Sequence, residues 1–472
     1  MVRAIELEQV TFAYEGYEEP VLKGASMTVN YGEVALLCGF SGEGKSTVLS
    51  LIGGIIPNIV PGQISGEIRV AGESVAGWSM SQVCRKVGMV LQNAESQIIQ
   101  QLVEDEIAFG CENFSFDPPA IRQAVDNACQ QMKLQPQWKT RTLSGGQKQR
   151  LMTAATLATG QRILVLDEPL ANLDRQGAHL LMEALKKLAA RGYGILVVEH
   201  RLDMVLPYVD QVWSIQKGQI QRIEDKDAYL VQQAQHIPPL VSSPSRGEAV
   251  LNLESVGFSA GNREILKEVS FQVQRGERAL LLGENGCGKT TLLRLMARLS
   301  RPTKGRILQS VDAALGQGKK GSKTWFQQVG VVYQNPNYQL FMPTVEEEIA
   351  FGAATENDAR EMMALFGLEH LAKRHPHSLS EGQKRRVSIA AVVAARPQVL
   401  LLDEPTVGQD YTGLREMVEI LNHLHQETDN TMITITHDLR CVQALCDHAI
   451  LLENGVVAQE GDGELARRYF FE

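Results

Sequence analysis

At 472 residues the chain is long for one hydrophobic core and comfortable as two domains of similar size. Apolar residues at 44% and charged residues at 21% are ordinary for a globular protein, and there is no apolar run long enough to span a bilayer. A formal net charge of −9 works against a nucleic-acid partner that needs a broad basic surface, so no nucleic-acid role is expected and any membrane role must run through partner subunits.

The N-terminal MVRAIELEQV alternates apolar and polar residues as a strand does. It has neither the basic start nor the apolar core of a signal peptide, and an intracellular protein is expected. Next comes the apolar run VALLC, then GFSGEGKS beginning at Gly39 and an apolar-periodic helix. The run ILVLD ends at Asp167-Glu168, and GILVV is followed closely by His200. These runs are short and rich in Leu and β-branched residues, as strands of a mainly parallel sheet covered on both faces should be. A stretch of helical period between VEDEIAFG and LSGGQ is long enough for a separate helical subdomain.

Sliding the chain on itself by about 240 residues aligns the same segments in the same order, so the repeat unit is a whole domain. VLKGASMTVNYGEVALLCGFSGEGKST meets ILKEVSFQVQRGERALLLGENGCGKTT, LSGGQKQR meets LSEGQKRR, and ILVLDEP meets VLLLDEP. Between the copies lies a polar stretch with a Pro pair and a Ser/Pro/Arg/Gly cluster, which reads as a linker. The expected division is a first domain over 1–231, a linker over 232–248 and a second domain over 249–472. Seven cysteines are scattered without metal-ligand spacing, and their odd count argues for reduced thiols.

Both Gly-rich segments fit G-x-x-x-x-G-K-[ST], each after an apolar strand and before a helix. Backbone N–H groups of such a loop close around phosphate oxygens, and the helix N-terminus adds a favourable dipole. Gly39, Ser41, Gly42, Gly44, Lys45, Ser46 and Thr47 form one candidate nucleotide-binding set; Gly283, Asn285, Gly286, Gly288, Lys289, Thr290 and Thr291 form the other. The lysines reach terminal phosphates, and Ser46 and Thr290 offer hydroxyls to Mg²⁺. Asp167 and Asp403 end strands where the crevice of a parallel sheet opens and are candidate Mg²⁺ ligands. The following Glu168 and Glu404 are placed to polarise an attacking water. His200 and His437 occupy matching places after the next strand and are candidate contacts to the terminal phosphate.

Leu143-Ser144-Gly145-Gly146-Gln147, with Leu379-Ser380-Glu381-Gly382-Gln383 in the second copy, narrows the field. LSGGQ upstream of the DEP carboxylates resembles the signature of ABC-type nucleotide-binding domains, and the resemblance covers nearly the whole chain. It implies an α/β fold of tandem P-loop NTPase domains, each with a mainly parallel core sheet, an antiparallel β part and an α-helical subdomain. It implies ATP and Mg²⁺ as cofactors and ATP hydrolysis as the activity. The two domains are implied to pair within one chain, with Ser144, Gly145, Gly146 and Gln147 of one copy, or Ser380, Gly382 and Gln383 of the other, covering nucleotide held by the opposite P-loop. Gln92 and Gln334 match the family's Q-loop, implied to touch Mg²⁺ and the attacking water. Asp174 matches its D-loop; Asp410 is a looser match, with Gln409 in place of Leu.

LQNAESQ…VEDEIAFG and YQNPNYQ…VEEEIAFG further resemble the segment after the Q-loop in ATPases of energy-coupling-factor importers. That implies a transmembrane scaffold protein and a small substrate-binding membrane protein as partners. It places the chain in the cytoplasm, peripheral on the inner face of the cell membrane and meeting the membrane only through those partners. The transported substrate would be a vitamin, vitamin precursor or metal ion. The alternatives are the ATPase of another ABC importer or exporter, and a non-transport twin-ABC ATPase. The non-transport class generally carries a charged arm, a coiled-coil insertion or zinc-binding cysteines, which this chain lacks.

The copies also differ. Tyr14 matches the family's adenine-stacking aromatic, whereas the second copy has Ala260; Phe12 and Phe258 read as core. Glu381 replaces a signature glycine and brings a negative charge toward phosphate. Cys287, inside the second P-loop, reads as a small tolerated residue in a reducing compartment.

Overall fold

The computed structural model describes residues 2–17, 19–40, 42–92, 94–171, 173–234, 247–261, 263–311, 323–407, 409, 411–438, 442 and 444–471. The chain divides into two compact units, Met1–Gln235 and His236–Glu472. Residues 235–246 of the expected linker lie outside the described residues, and positions 232–234 complete the helix Lys226–Ala234.

In the first unit an antiparallel sheet runs in the order Leu22–Asn30, Arg3–Tyr14, Gly62–Val70, Glu73–Ser74. The long strand Arg3–Tyr14 changes parity part-way. Ile5 and Leu7 are buried at odd positions and Val10 and Phe12 at even ones, the register shifts between Leu7 and Val10, and Gln9 takes φ 48°. This is a β-bulge, which inserts one residue and so switches the buried positions from odd to even. Strand Ala249–Ala260 of the second unit repeats it: Leu251 and Leu253, then Val256, are buried, with Ser255 at φ 47°.

The core sheet of the first unit has the order Gln219–Ile223, Gln211–Gln216, Val34–Gly39, Gly194–Val198, Ile163–Asp167, Val87–Val90. Only the pairing of the first two is antiparallel. Helices Val103–Asn113, Pro118–Met132 and Gly145–Ala158 pack on one another as the helical part. In the second unit the core order is Val329–Val332, Val399–Asp403, Thr431–Ile435, Arg278–Leu282, His448–Glu453, Val456–Gly461, beside an antiparallel sheet of Arg263–Gln274, Ala249–Ala260 and Lys304–Gln309. Every residue of the strands Arg278–Leu282, Val399–Asp403 and Thr431–Ile435 is buried, which explains why apolar residues dominate them without alternation. Each unit is thus an α/β structure with a mainly parallel core sheet, an antiparallel part and a helical part.

Candidate active site

Parallel register brings the chemistry together. In the first unit Leu37 pairs with Val198 and Val198 with Asp167, so three neighbouring strands end level with one another. The P-loop, the Asp167-Glu168 pair and His200 leave the sheet side by side, at its carboxyl edge, where ligands of open α/β sheets sit. The second unit aligns Leu281 with Ile435 and Ile435 with Asp403, with the same result for Lys289, Asp403-Glu404 and His437.

Gly39 opens its loop at φ 147°, where a Cβ would lie 2.4 Å from the Ile215 carbonyl oxygen; Gly283 repeats this at φ 139°, with a Cβ 2.2 Å from the Leu452 carbonyl oxygen. Only glycine fits either place. Gly44 and Gly288 are left-handed N-caps of helices Lys45–Ile52 and Lys289–Met296, and Gly42 and Gly286 also have positive φ. Ser41 lies outside the described residues. Lys45 is buried and its Nζ donates to the carbonyls of Gly39 (2.9 Å) and Phe40 (2.7 Å). Lys289 does the same to Gly283 (2.6 Å) and Glu284 (2.8 Å). Each ammonium is thereby held over its own loop. The Tyr14 hydroxyl lies 2.9 Å from Thr47 Oγ1, and its ring packs edge-on against Phe12 at 4.8 Å. Phe12 is fully buried, as its reading as core requires.

Glu168 and Glu404 have φ 45° and 51°, left-handed values that strain a residue with a side chain. Their backbone N–H groups are pinned 2.9 Å from Val198 O and Ile435 O, the ends of the adjacent strands. In the first unit Glu168 accepts from Gln92 Nε2 at 2.7 Å and lies 3.1 Å from His200 Nε2. Burial opposes its ionisation, yet His200, Lys45 and the Gln92 hydrogen bond together hold its carboxyl below the usual range. Asp167 goes the other way: burial first, then the Glu168 charge, pushes it up to about 7. A divalent cation would relieve that pressure, and hydroxyl, carboxylate and amide oxygens are the hard donors Mg²⁺ prefers. In the second unit the Thr290 hydroxyl is hydrogen-bonded to Asp403, joining two of the expected metal-binding groups. The residues fit ATP and Mg²⁺: Ser46, Thr290, Asp167, Asp403, Gln92 and Gln334 would hold the metal, and the loop amides and lysines the phosphates.

The second unit differs in detail. His437 Nε2 is 3.6 Å from Glu404 but 3.1 Å from Asn285 Oδ1 of the P-loop. The Q-loop backbone there is tied by buried Arg385, which donates to the carbonyls of Tyr333 (2.8 Å) and Gln334. Burial pulls that guanidinium down to about 10, against the nearby Glu404, Glu381 and Asp403 charges. Burial raises the Cys287 thiol, outweighing the nearby Lys289 charge.

Ser144 and Ser380 head helices Gly145–Ala158 and Glu381–Val393 through reciprocal capping boxes. Gln147 N donates to Ser144 Oγ at 3.3 Å and Ser144 N to Gln147 Oε1 at 2.9 Å; Gln383 and Ser380 pair at 3.3 and 3.1 Å. A Cβ on Gly146 would meet Leu173 at 2.6 Å, and one on Gly382 would meet Gln409 at 3.2 Å, so the second signature glycine abuts the residue before the D-loop aspartate in each unit. Asp174 N-caps the helix Arg175–Ala189, accepting from Gly177 at 2.8 Å, while Asp410 lies outside the described residues. Glu381 pairs with Lys384 at 2.8 Å, so its charge is met within the same helical turn.

Several residues that sequence reasoning passed over hold the Q-loops in place. Gln97 Oε1 accepts from Leu91 N (2.8 Å), and Gln339 Oε1 from Tyr333 N (2.9 Å). Glu106, read only as part of an acidic first turn, is buried and accepts from the backbone of Ile99 (2.8 Å) and Gln100 (2.6 Å). Glu348 accepts from Phe341 and Met342, both at 2.7 Å. The recurrence of Q-N-x-x-x-Q and V-E-[DE]-E in both copies was the available signal.

A sequence profile described as ABC transporter matches residues 22–171 and 266–407, well over half of the chain. An ATP-binding protein of Bacillus subtilis (strain 168), YkoD, whose name assigns it provisionally to HMP/thiamine import, is 32% identical over 97% of this chain and 91% of its own length. An ABC transporter ATP-binding protein of Saccharolobus solfataricus, SSO2030, is 31% identical over 98% of this chain and 94% of its own. Among solved structures, the ribosome-bound archaeal Pelota and ABCE1 model superposes with TM-score 0.74 at 18% identity, covering 98% of this chain and 80% of that one, a likeness of fold alone.

Proposed function

We propose that this chain, which belongs to the ABC transporter family and is an ATPase, energises an energy-coupling-factor type importer for a vitamin, vitamin precursor or metal ion. Its partners in that role are a transmembrane scaffold protein and a small substrate-binding membrane protein, and it works at the cytoplasmic face of the membrane. In each unit the P-loop lysine and amides bind the phosphates, and Glu168 or Glu404 orients and takes a proton from the attacking water. His200 or His437 and Gln92 or Gln334 position that carboxylate and the terminal phosphate.

The observation that carries the partner assignment is an exposed aromatic patch directly after the second Q-loop. Tyr338, Phe341 and Phe351 are 76%, 63% and 60% exposed, Phe341 and Phe351 pack edge-on at 5.5 Å, and buried Glu348, on the helix that carries Phe351, accepts from the backbone of Phe341. In the first unit Ile99, 67% exposed, follows the Q-loop at the matching place. Exposed rings on the loop that also carries Gln334 and on the helix that follows it suit a surface that receives helices of a membrane protein and relays their position to the carboxylate. No helix among the described residues is long and apolar enough to cross a membrane, so transport by this reading requires such a partner. The name of the Bacillus subtilis relative agrees with a vitamin-precursor substrate.

The test is affinity purification from the native membrane of the parent chain and of a Tyr338→Ser, Phe341→Ser double variant. The parent is expected to retain a multi-span membrane protein, and the variant to lose it while keeping ATP turnover. Equal retention by both, or ribosomal components in place of a membrane protein, would overturn the assignment.

A further inference from the structure

The two units differ at the residue before the histidine, where the first has Glu199 and the second Thr436. Glu199 is 2% exposed and is not part of any nucleotide motif. One of its oxygens accepts from the backbone N–H groups of His200 (2.9 Å) and Arg201 (3.3 Å). The other accepts from Leu170 N at 3.0 Å, two residues beyond Glu168. Arg201 reaches back across the same gap and donates from Nη1 to the carbonyls of Leu170 (3.2 Å) and Leu173 (2.8 Å). Two side chains flanking His200 thus staple its loop to the segment that joins the catalytic carboxylate to Asp174.

Thr436 is equally buried but has a single oxygen on a short stem, and it accepts from Asp438 N at 3.0 Å, inside its own loop. The His437 backbone N–H instead goes to the carboxylate, Glu404 Oε2, at 3.2 Å. In the first unit Glu199 takes that N–H. Glu168 then gives Oε2 to Gln92 and Oε1 to His200 Nε2, whereas His437 leans toward Asn285.

We infer that Glu199 is a positioning residue that holds His200 against Glu168 and, with Arg201, preassembles the first ATP site. The inference rests on Glu168 being the catalytic carboxylate. A preset carboxylate, glutamine and histidine need no rearrangement when water is attacked, so Glu199 acts on the chemical step rather than on nucleotide affinity.

Steady-state ATP hydrolysis by the full-length chain tests this, with Glu199→Thr, Glu199→Gln and Glu168→Gln assayed beside the parent and melting temperatures measured for each. Glu199→Thr is expected to lower kcat about tenfold, with the KM for ATP changed less than about twofold. Glu199→Gln keeps one of the two acceptor oxygens at the same reach and is expected to recover part of that loss. Parental kcat in Glu199→Thr alongside an inactive Glu168→Gln would overturn the inference and leave the carboxylate assignment standing. Equal losses in the Thr and Gln variants that follow a lowered melting temperature would also overturn it, by showing a purely structural role. Full activity in Glu168→Gln would instead remove the assignment beneath it.

Discussion

Gln92 donates from its side-chain amide to Glu168 Oε2 across 2.7 Å, joining the loop after the edge strand Val87–Val90 to the carboxylate just past the end of the neighbouring strand Ile163–Asp167. The Q-loop side chain therefore holds the carboxylate proposed above to act on water. This contact makes the carboxylates the first groups to test.

Glu168→Gln and Glu404→Gln are each expected to lower ATP turnover by about a hundredfold or more, because the P-loop contacts remain while the proton acceptor is lost. Phosphate release measured beside nucleotide retention checks this: each variant should hold ATP while releasing little phosphate. A variant with parental turnover would take its carboxylate out of the reaction.

Ala260→Tyr is expected to tighten nucleotide binding at the second P-loop. Tyr14 ends its strand with its hydroxyl 2.9 Å from Thr47, beside the P-loop helix, and Thr291 is the matching residue in the second unit. A ring in place of a methyl should contribute about 1 kcal/mol of stacking, on the order of tenfold in affinity. Site-resolved titration with a fluorescent ATP analogue would show no gain if another group already stacks on the base there.

Glu106→Ala and Glu348→Ala are expected to destabilise their units by roughly 2 kcal/mol each, since each leaves two backbone donors without a charged acceptor. Urea unfolding measures the loss, and hydrogen exchange at Ile99, Gln100, Phe341 and Met342 should quicken in the matching variant. Unchanged exchange would show that the loops are held by other contacts.

His448 links pH to stability in the second unit. It lies 3.3 Å from Glu277 and 3.2 Å from Glu460, and interaction with Glu277 raises its pKa against the opposing effect of burial. A histidine whose folded pKa is raised contributes stability that is fully present below its unfolded value of about 6.5 and is lost as pH rises through the folded value. Melting temperature should therefore fall as pH rises from about 6.5, and His448→Gln should flatten that slope. A parallel slope in the variant would assign the titration to another group.

Much of this was legible in the chain itself. The sequence alone determined the duplication, the parallel strands and the identity of the P-loop, carboxylate, histidine and signature residues, because short-range chemistry dictates them. Buried parallel strands must be apolar throughout, a phosphate loop needs glycines at fixed spacing, and Ser-x-x-Gln caps a helix wherever it occurs. Tertiary structure decided the rest. Alternation along LEQVTFAY marks a strand but not the bulge at Gln9 that switches its buried positions from odd to even, since a left-handed residue is chosen by the pairing of two strands. Glu106 and Glu199 look like surface acids in the sequence. Each is buried because the fold brings backbone N–H groups from another segment within reach, Ile99 and Gln100 for one and Leu170 for the other. A carboxylate leaves water only where such donors replace it, and whether the chain turns back to aim them at it, as the loop at Ile99 and the distant Leu170 do, is settled by the folded path and not by residue type.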